Sequence, residues 1–390
     1  MLELKLAYRN LIGAGLRTWL NVIALSFAYV IIIWHQGLFF GMLEQSTRDM
    51  VNYEIGSGQY WHKTYDPYDA ISLDDAHGVI PSGLKDMTAE GKAAPVLIRP
   101  ASIFPHGRLQ SVLLKGIDPA QQILKIPTSN LTKQDGYIPV LIGQRMARAN
   151  EFKVDDYITI RFRDANGTFD AVDGKIVWIM ETNVPTVDKG QLWIPLEDLQ
   201  KIMVMPDEAT IVVAGKGAQD MGSLSDWEFK SQSFLLKDIT EMIKSKRISA
   251  SIMYVILLFL AMLAVFDTQV LSIFRRRKEI GTMMALGLTR ARVILTFTLE
   301  GVINGVLAIV VGAAYGIPLL WLTAIKGFNV PHASDAYGFA ISQRLFPVYP
   351  IALILGTVII VMITVTIVSY LPAKQISKLK PTDALRGKIS

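Results

Sequence analysis

The sequence has 390 residues, 51% of them hydrophobic and 19% charged, with a mean hydropathy of +0.35, a balance that belongs to membrane proteins rather than to soluble enzymes. The high apolar fraction excludes disorder, the lack of a glycine period excludes a collagen-like repeat, and the absence of cysteine excludes a disulfide-stapled scaffold. The formal charge of +5 could suggest nucleic acid, so its distribution along the chain decides what it means.

Residues 1–18 carry Lys5, Arg9 and Arg17 and read as a cytoplasmic N-terminal helix. The run 19–42 is apolar over more than the about 20 residues needed to cross a hydrocarbon core, and is longer than a signal-peptide core, so it reads as a retained first transmembrane helix. Residues 43–247 follow as a large insert with 23 basic and 28 acidic residues, a net of −5, which leaves +10 on the rest of the chain. The insert reads mainly as β: Ser111 to Gly116, Tyr157 to Phe162, Lys175 to Met180, Gln191 to Ile194 and Thr210 to Val213 are rich in β-branched or aromatic residues between turn formers. Asp164-Ala165-Asn166-Gly167 marks a hairpin turn. Helical patches are expected at Gln144 to Asn150 and Leu196 to Met203. The segments Leu43 to Met50 and Ser233 to Arg247 extend the flanking transmembrane helices as stalk ends.

A second transmembrane helix is read at 248–274, a cytoplasmic loop at 275–292, a third helix at 293–325, an outer loop at 326–348, a fourth helix at 349–371 and a cytoplasmic tail at 372–390. Lys and Arg cluster before the first helix, between the second and third, and after the fourth, which puts both termini in the cytoplasm and the insert outside. The fold class expected is an α-helical membrane protein of four transmembrane helices, with a large α+β extracytoplasmic domain between the first two. The basic balance then reflects topology, and no nucleic acid is expected as a partner.

Motifs for chemistry are scarce. There is no G-x-x-x-x-G-K-[ST] loop to cradle phosphates, since Gly91-Lys92 is followed by Ala93, and no nucleophile elbow or zinc helix. The five histidines show no ligand spacing, so no catalytic residue, no metal and no cofactor is assigned to this chain. The loop RRRKEIGTMMALGLTRARVIL, Arg275 to Leu295, is informative instead. It holds one or two short helices whose ridge, Ile280, Met283, Met284 and Leu286, suits a groove on a soluble partner; a basic stop-transfer loop explains the same composition. Gly301, Gly305, Gly312 and Gly316 give the third helix a smooth face for another helix, in this chain or in a second copy. Asp267 and Glu300 are intramembrane carboxylates at similar depth, for which a paired structural role is favoured over a proton path.

Three separated motifs carry a family resemblance. KEIG at Lys278 to Gly281, ALG at Ala285 to Gly287 and Glu300-Gly301 with the following glycines form one. LPAKQISKLKPTDALR, Leu371 to Arg386, forms the second, and LAYRNLIGAGLRTWLNVIAL, Leu6 to Leu25, the third. Together they resemble the ABC transporter permeases of the macrolide-exporter, cell-division and lipoprotein-releasing superfamily, the four-helix mechanotransmission permeases. Gly58-Gln59-Tyr60-Trp61-His62 with Tyr65, and LIGQRMARANEFKV from Leu141 to Val154, resemble the lipoprotein-releasing branch.

The resemblance implies a non-catalytic permease subunit in the cell inner membrane, paired with a second permease chain as a homodimer or heterodimer. Separate ABC ATPase subunits would bind ATP and Mg. The ATPase-coupling loop would comprise Arg277, Lys278, Glu279, Ile280, Gly281, Met284, Leu286 and Gly287. The work done would be release of a lipoprotein or lipid-linked substrate, with a periplasmic lipoprotein carrier as a further partner. Peptide or drug efflux, and regulation of cell-wall hydrolases, are the alternatives within the superfamily.

Overall fold

The computed structural model describes residues 15–132, 136–182, 184–218, 221, 222, 224–329 and 344–376. The opening motif up to Ala14, most of the expected outer loop and the closing tail from Ser377 lie outside the described residues. The chain divides into two units, one from Met1–Met42, Ile243–Phe328 and Leu345–Ser390, the other from Leu43–Met242 and Asn329–Arg344.

Among the described residues, the helical unit is built from four helices long and apolar enough to cross a membrane. They are α1 (Leu16–Met50), α7 (Lys237–Arg275), α9 (Arg290–Lys326) and α10 (Ile351–Ile376), with the short α8 (Arg277–Ala285) between the second and third. Their shared core is mostly valine and alanine: Val22, Leu25, Ala28 and Tyr29 of α1 meet Ala261 and Val265 of α7, Ala308 of α9, and Val361 and Val365 of α10. Polar ties cross the same helices. Asn21 Nδ2 donates to Thr268 Oγ1 at 2.5 Å, and His35 Nδ1 lies 2.9 Å from the Tyr254 hydroxyl. Pro318 and Pro372 both sit inside helices that continue past them. In a membrane helix the carbonyl freed by a proline can be met by neighbouring groups, so the chain need not break there.

The second unit is organised by a nine-stranded sheet. Its strands are β1 (Gly58–His62), β3 (Ala93–Ile103), β4 (Gln110–Ile117), β5 (Ile138–Gly143), β6 (Tyr157–Arg163), β7 (Phe169–Met180), β8 (Gln191–Pro195), β10 (Ile211–Ala214) and β11 (Trp227–Ser231). The short β2 (Gly78–Val79) pairs with β9 (Glu208–Ala209) apart from it. The order is β11-β1-β10-β3-β4-β8-β5-β7-β6, and β6 also pairs with β3, so six of the strands close into a ring. The long β3 makes this closure possible: along one edge Ala93–Val96 pair with β10, while Ala101–Ile103 pair with β6.

Strand β6 alternates strictly, with Ile158, Ile160 and Phe162 buried and Tyr157, Thr159, Arg161 and Arg163 exposed. The inward residues join Leu97, Leu114, Val140, Ile142, Ile176, Leu192 and Ile194 in one core. The remaining helices α2 (Ser82–Ala89), α3 (Gln144–Ala149), α4 (Pro185–Gly190), α5 (Leu196–Met203) and α6 (Gln232–Leu235) flank the strands. Gly116 lets α5 close on β4, because a Cβ there would stand 2.9 Å from Leu199.

Five strands and two helices coincide with the sequence reading. Others do not: β3 contains Pro95 and Pro100, which argue against a strand within a sheet. The strand tolerates them because Pro95 lies opposite Val212 and Pro100 opposite Leu113 while flanking residues carry the ladder. The stalk helix read as Ser233 to Arg247 is two pieces, α6 and the start of α7.

Candidate functional site

The connection between α7 and α9 concentrates the residues singled out in the sequence. Helix α8 starts immediately after Arg276 and ends at Leu286, where the backbone passes through Gly287 at φ +101°. That conformation is easy only for glycine; a Cβ at Gly287 would meet no atom within 4 Å, so the constraint is on the backbone and not on space.

The ridge expected to face a partner is divided. Ile280, 3% exposed, packs inward with Ile273, Val293, Phe297 and Ala373, and Met284 lies against the same cluster. Gly281 is also buried. This corrects the sequence reading: apolar residues at helical spacing here serve the junction of α7, α8, α9 and α10. The outward side presents Lys278, Glu279, Thr282 and Ala285, followed by Leu286 at 83% exposure. Arg277 lies in the first turn of the helix.

Arg276, which the sequence reading passed over, ties this junction together. Its Nε lies 3.1 Å from Glu279 Oε2, its Nη1 lies 3.6 Å from Glu300 Oε2, and its guanidinium sits 5.7 Å from the Phe297 ring centroid. One cation therefore joins the short helix to α9. Glu300 is 5% exposed, and burying its charge depends on such a counter-ion. The available sequence signal was the three-residue spacing of Arg276 and Glu279, hidden inside a run of four basic residues.

The glycines of α9 are packing positions within the chain. A Cβ on Gly301 would stand 1.9 Å from Ser369 Oγ, on Gly305 2.9 Å from Met362 Sδ, on Gly312 3.5 Å from Ser26, and on Gly316 2.7 Å from Val30. The first pair faces α10 and the second faces α1. The two carboxylates at similar depth part company here. Glu300 is buried and paired, whereas Asp267 is exposed on α7. Among the described residues no group of three or more His, Cys, Asp or Glu is placed to hold a metal. His62 is engaged by Thr64 Oγ1 at 2.8 Å.

Residues 251–381 match the FtsX-like permease C-terminal family. The stretch runs from within α7 to beyond the described end of α10 and contains the whole α8 junction. The chain is 21% identical over 332 residues to the lipoprotein-releasing system transmembrane protein LolC of Neisseria meningitidis, covering 75% of this chain and 77% of that one. It is 22% identical over 330 residues to the protein of the same name from Xylella fastidiosa, with the same coverage. Among solved structures it is similar to the extracellular domain of the noncanonic ABC-type transporter YknZ from Gram-positive bacteria, at 11% identity and a TM-score of 0.28, covering 47% of this chain and 94% of that one. The chain is thus similar to FtsX-like permeases over residues 251–381 and to the transmembrane proteins LolC of lipoprotein-releasing systems over three quarters of its length.

Proposed function

We propose that the chain is the permease subunit of an ABC transporter, coupling ATP hydrolysis by separate ATPase subunits to conformational work on the outer side of the membrane. Lipoprotein or lipid-linked substrate release is that work, a reading supported by the LolC relatives. The observation that carries the coupling is the α8 junction: a short helix with a charged outer side, locked by Ile280 and Arg276 to the helices that flank it. In this reading residues 275–292 and both termini face the cytoplasm, residues 43–247 lie outside, and the chain sits in the inner membrane. A second permease chain completes the assembly, and ATP with Mg is held by the ATPase partners.

The residues of this chain act as a lever. A push on Lys278, Glu279 and Leu286 moves α8 as a unit, because Ile280 and Met284 are packed into the four-helix junction and cannot slide freely. Arg276 passes the displacement to α9 through Glu300, and α7 carries it along an uninterrupted helix from Arg275 back to Lys237. Gly287 fixes the angle at which α8 hands over to the next turn.

The experiment is a release assay on the reconstituted assembly with Gly287→Leu. ATP hydrolysis is expected to persist while release falls at least about tenfold, equivalent to about 1.4 kcal/mol of lost coupling. Normal release by a stably assembled Gly287→Leu variant would overturn the assignment.

A further inference from the structure

Helix α1 ends in a way that its apolar length does not explain. After Met50 the chain makes a five-residue π turn, Val51–Ile55, and then passes through Gly56 at φ +66° into β1. Such turns are rare and occur mostly at functional places. The carbonyls at a helix end have no partner within the helix, so groups outside must meet them. Here donors from three separate segments of the strand unit do so. The Lys125 amide donates to Asn52 O at 2.7 Å, Gln59 Nε2 to Glu54 O at 2.7 Å, and Gln232 Nε2 to Gly56 O at 3.1 Å. Gly56 itself lies so close to β10 that a Cβ there would stand 2.6 Å from Ala214 O.

Glu54 is the charged residue of this turn. Its Oε1 lies 3.5 Å from Lys115 Nζ on β4, and its Oε2 accepts the Thr186 hydroxyl of α4 at 3.0 Å. The Lys115 side chain is 5% exposed and that of Glu54 22%, and with Gln59, Trp61 and Tyr65 they line one cleft of about 750 Å³. Burial pulls the Lys115 ammonium below the usual lysine range, and Glu54 acts against that shift. An ion pair set this deep adds little net stability, because taking both charges out of water cancels most of their attraction. What it supplies is position, since charges that must meet select one register where apolar side chains accept several. An α turn closes after about 3.6 residues and this one after more, so rewinding the turn to α would rotate Glu54 away from β4.

We propose that Glu54 and Lys115 are positioning residues whose pair pins the end of α1 to β4 in the π register, so that helix end and sheet move as one body. The joint is then a clasp and not a hinge, in spite of the glycine beside it. The proposal rests on the reading of the chain as a subunit that does work on the outer side of the membrane, and it names where the strand unit receives that work. Every group of the joint lies within that unit, which begins at Leu43, and α1 leads into the joint as one helix from Leu16 to Met50.

The test is Glu54→Leu combined with Lys115→Met in the full chain, two apolar replacements that leave no charge stranded, so the melting temperature should stay within about 4 °C of wild type. Hydrogen exchange at Ser57 and Lys125, whose amides bond across the joint at 2.8 and 2.7 Å, should quicken at least about tenfold. Reconstituted with the ATPase subunits, the variant should hydrolyse ATP but release a purified lipoprotein at least about tenfold less. A short thiol crosslinker between Asn52→Cys and Lys125→Cys, in a sequence with no other cysteine, should restore release to it. Unchanged exchange, or full release by the double variant, would overturn the pin. Loss of release when the same crosslink is placed in the otherwise wild-type chain would overturn it too, because a joint that must open is a hinge. Exchange needs no transport, so quickened exchange in a chain whose wild type shows no ATP-driven release would sink the transport reading and leave the clasp standing. Should the double variant fail to fold, Thr186→Val, which removes the hydroxyl from Glu54, decides: exchange about threefold faster is expected, and unchanged exchange would contradict the pin.

Discussion

The two units of this chain solve the packing problem in opposite ways. In the strand unit the large apolar residues point inward: Leu97, Leu114, Val140, Leu192 and Ile194 are fully buried inside a ring of strands. In the helical unit many of them point outward. Only 17% of the apolar stretch of α7 is buried inside the chain, against 50% of that of α1, and Ile252, Val255, Phe259 and Leu263 are exposed. Between the helices, apolar residues such as Val22, Leu25 and Val365 share the space with small and polar contacts: Gly301 against Ser369, Gly312 against Ser26, Asn21 with Thr268, Glu300 with Arg276. Hydrophobic burial orders a core in water. In lipid, where an apolar side chain gains nothing by turning inward, close approach and polar ties take over.

That contrast can be broken by matched substitutions, beginning where the effect is greatest. Leu114→Ala removes a fully buried side chain from the strand core and should cost about 2–5 kcal/mol, while Ile359→Ala, exposed on α10, should change stability by less than about 0.5 kcal/mol. Denaturant unfolding of the detergent-solubilised chain measures both, and equal losses would erase the distinction. Gly301→Leu comes next. Its first added carbon would collide with Ser369 Oγ, so about 1–3 kcal/mol of overpacking is expected. Gly356→Leu on α10 meets nothing within 4 Å and should be tolerated, and a thermal-shift comparison of the two variants separates packing glycines from incidental ones.

The smallest effect is electrostatic. Burial lowers the Lys115 pKa, whereas the unfolded chain keeps a value of about 10.4. Between those two values the unfolded state holds the extra proton, so raising the pH through that window adds stability to the folded strand unit, and lowering it takes that stability away. Wild type should therefore gain on Lys115→Met in stability as pH rises from about 9 to 10, just below the unfolded value, by at most about 1.4 kcal/mol. A gap that stays constant across the range would show that Lys115 is not the source.

The sequence made the helices legible because a span must be apolar over its whole length, whatever it packs against. It also exposed strands such as β6, whose alternation records one buried and one exposed face. It could not reveal the ring, since closure depends on β3 pairing with β6 some sixty residues away and on two prolines being tolerated within that strand. At the α8 junction, periodicity correctly marked Ile280 and Met284 as apolar but could not say which side they face. A buried junction residue and a partner-facing residue share the same spacing. Arg276 was hidden for a related reason: only a fold tells which arginine of a basic run meets Glu300. Gln59, Trp61, His62 and Tyr65 were named as part of a resemblance, without any sign that they line one cleft with Lys115.

The central claim is that α8 is where separate ATPase subunits engage this chain, and affinity purification of the tagged full chain in detergent, with mass spectrometry of what remains bound, tests it most directly. Wild type should retain an ABC ATPase subunit, and Glu279→Lys combined with Leu286→Asp, both on the outward side of α8, should lose it while the permease remains folded. Purification of the wild-type chain without any ATPase, under conditions that preserve other ABC assemblies, would contradict the account.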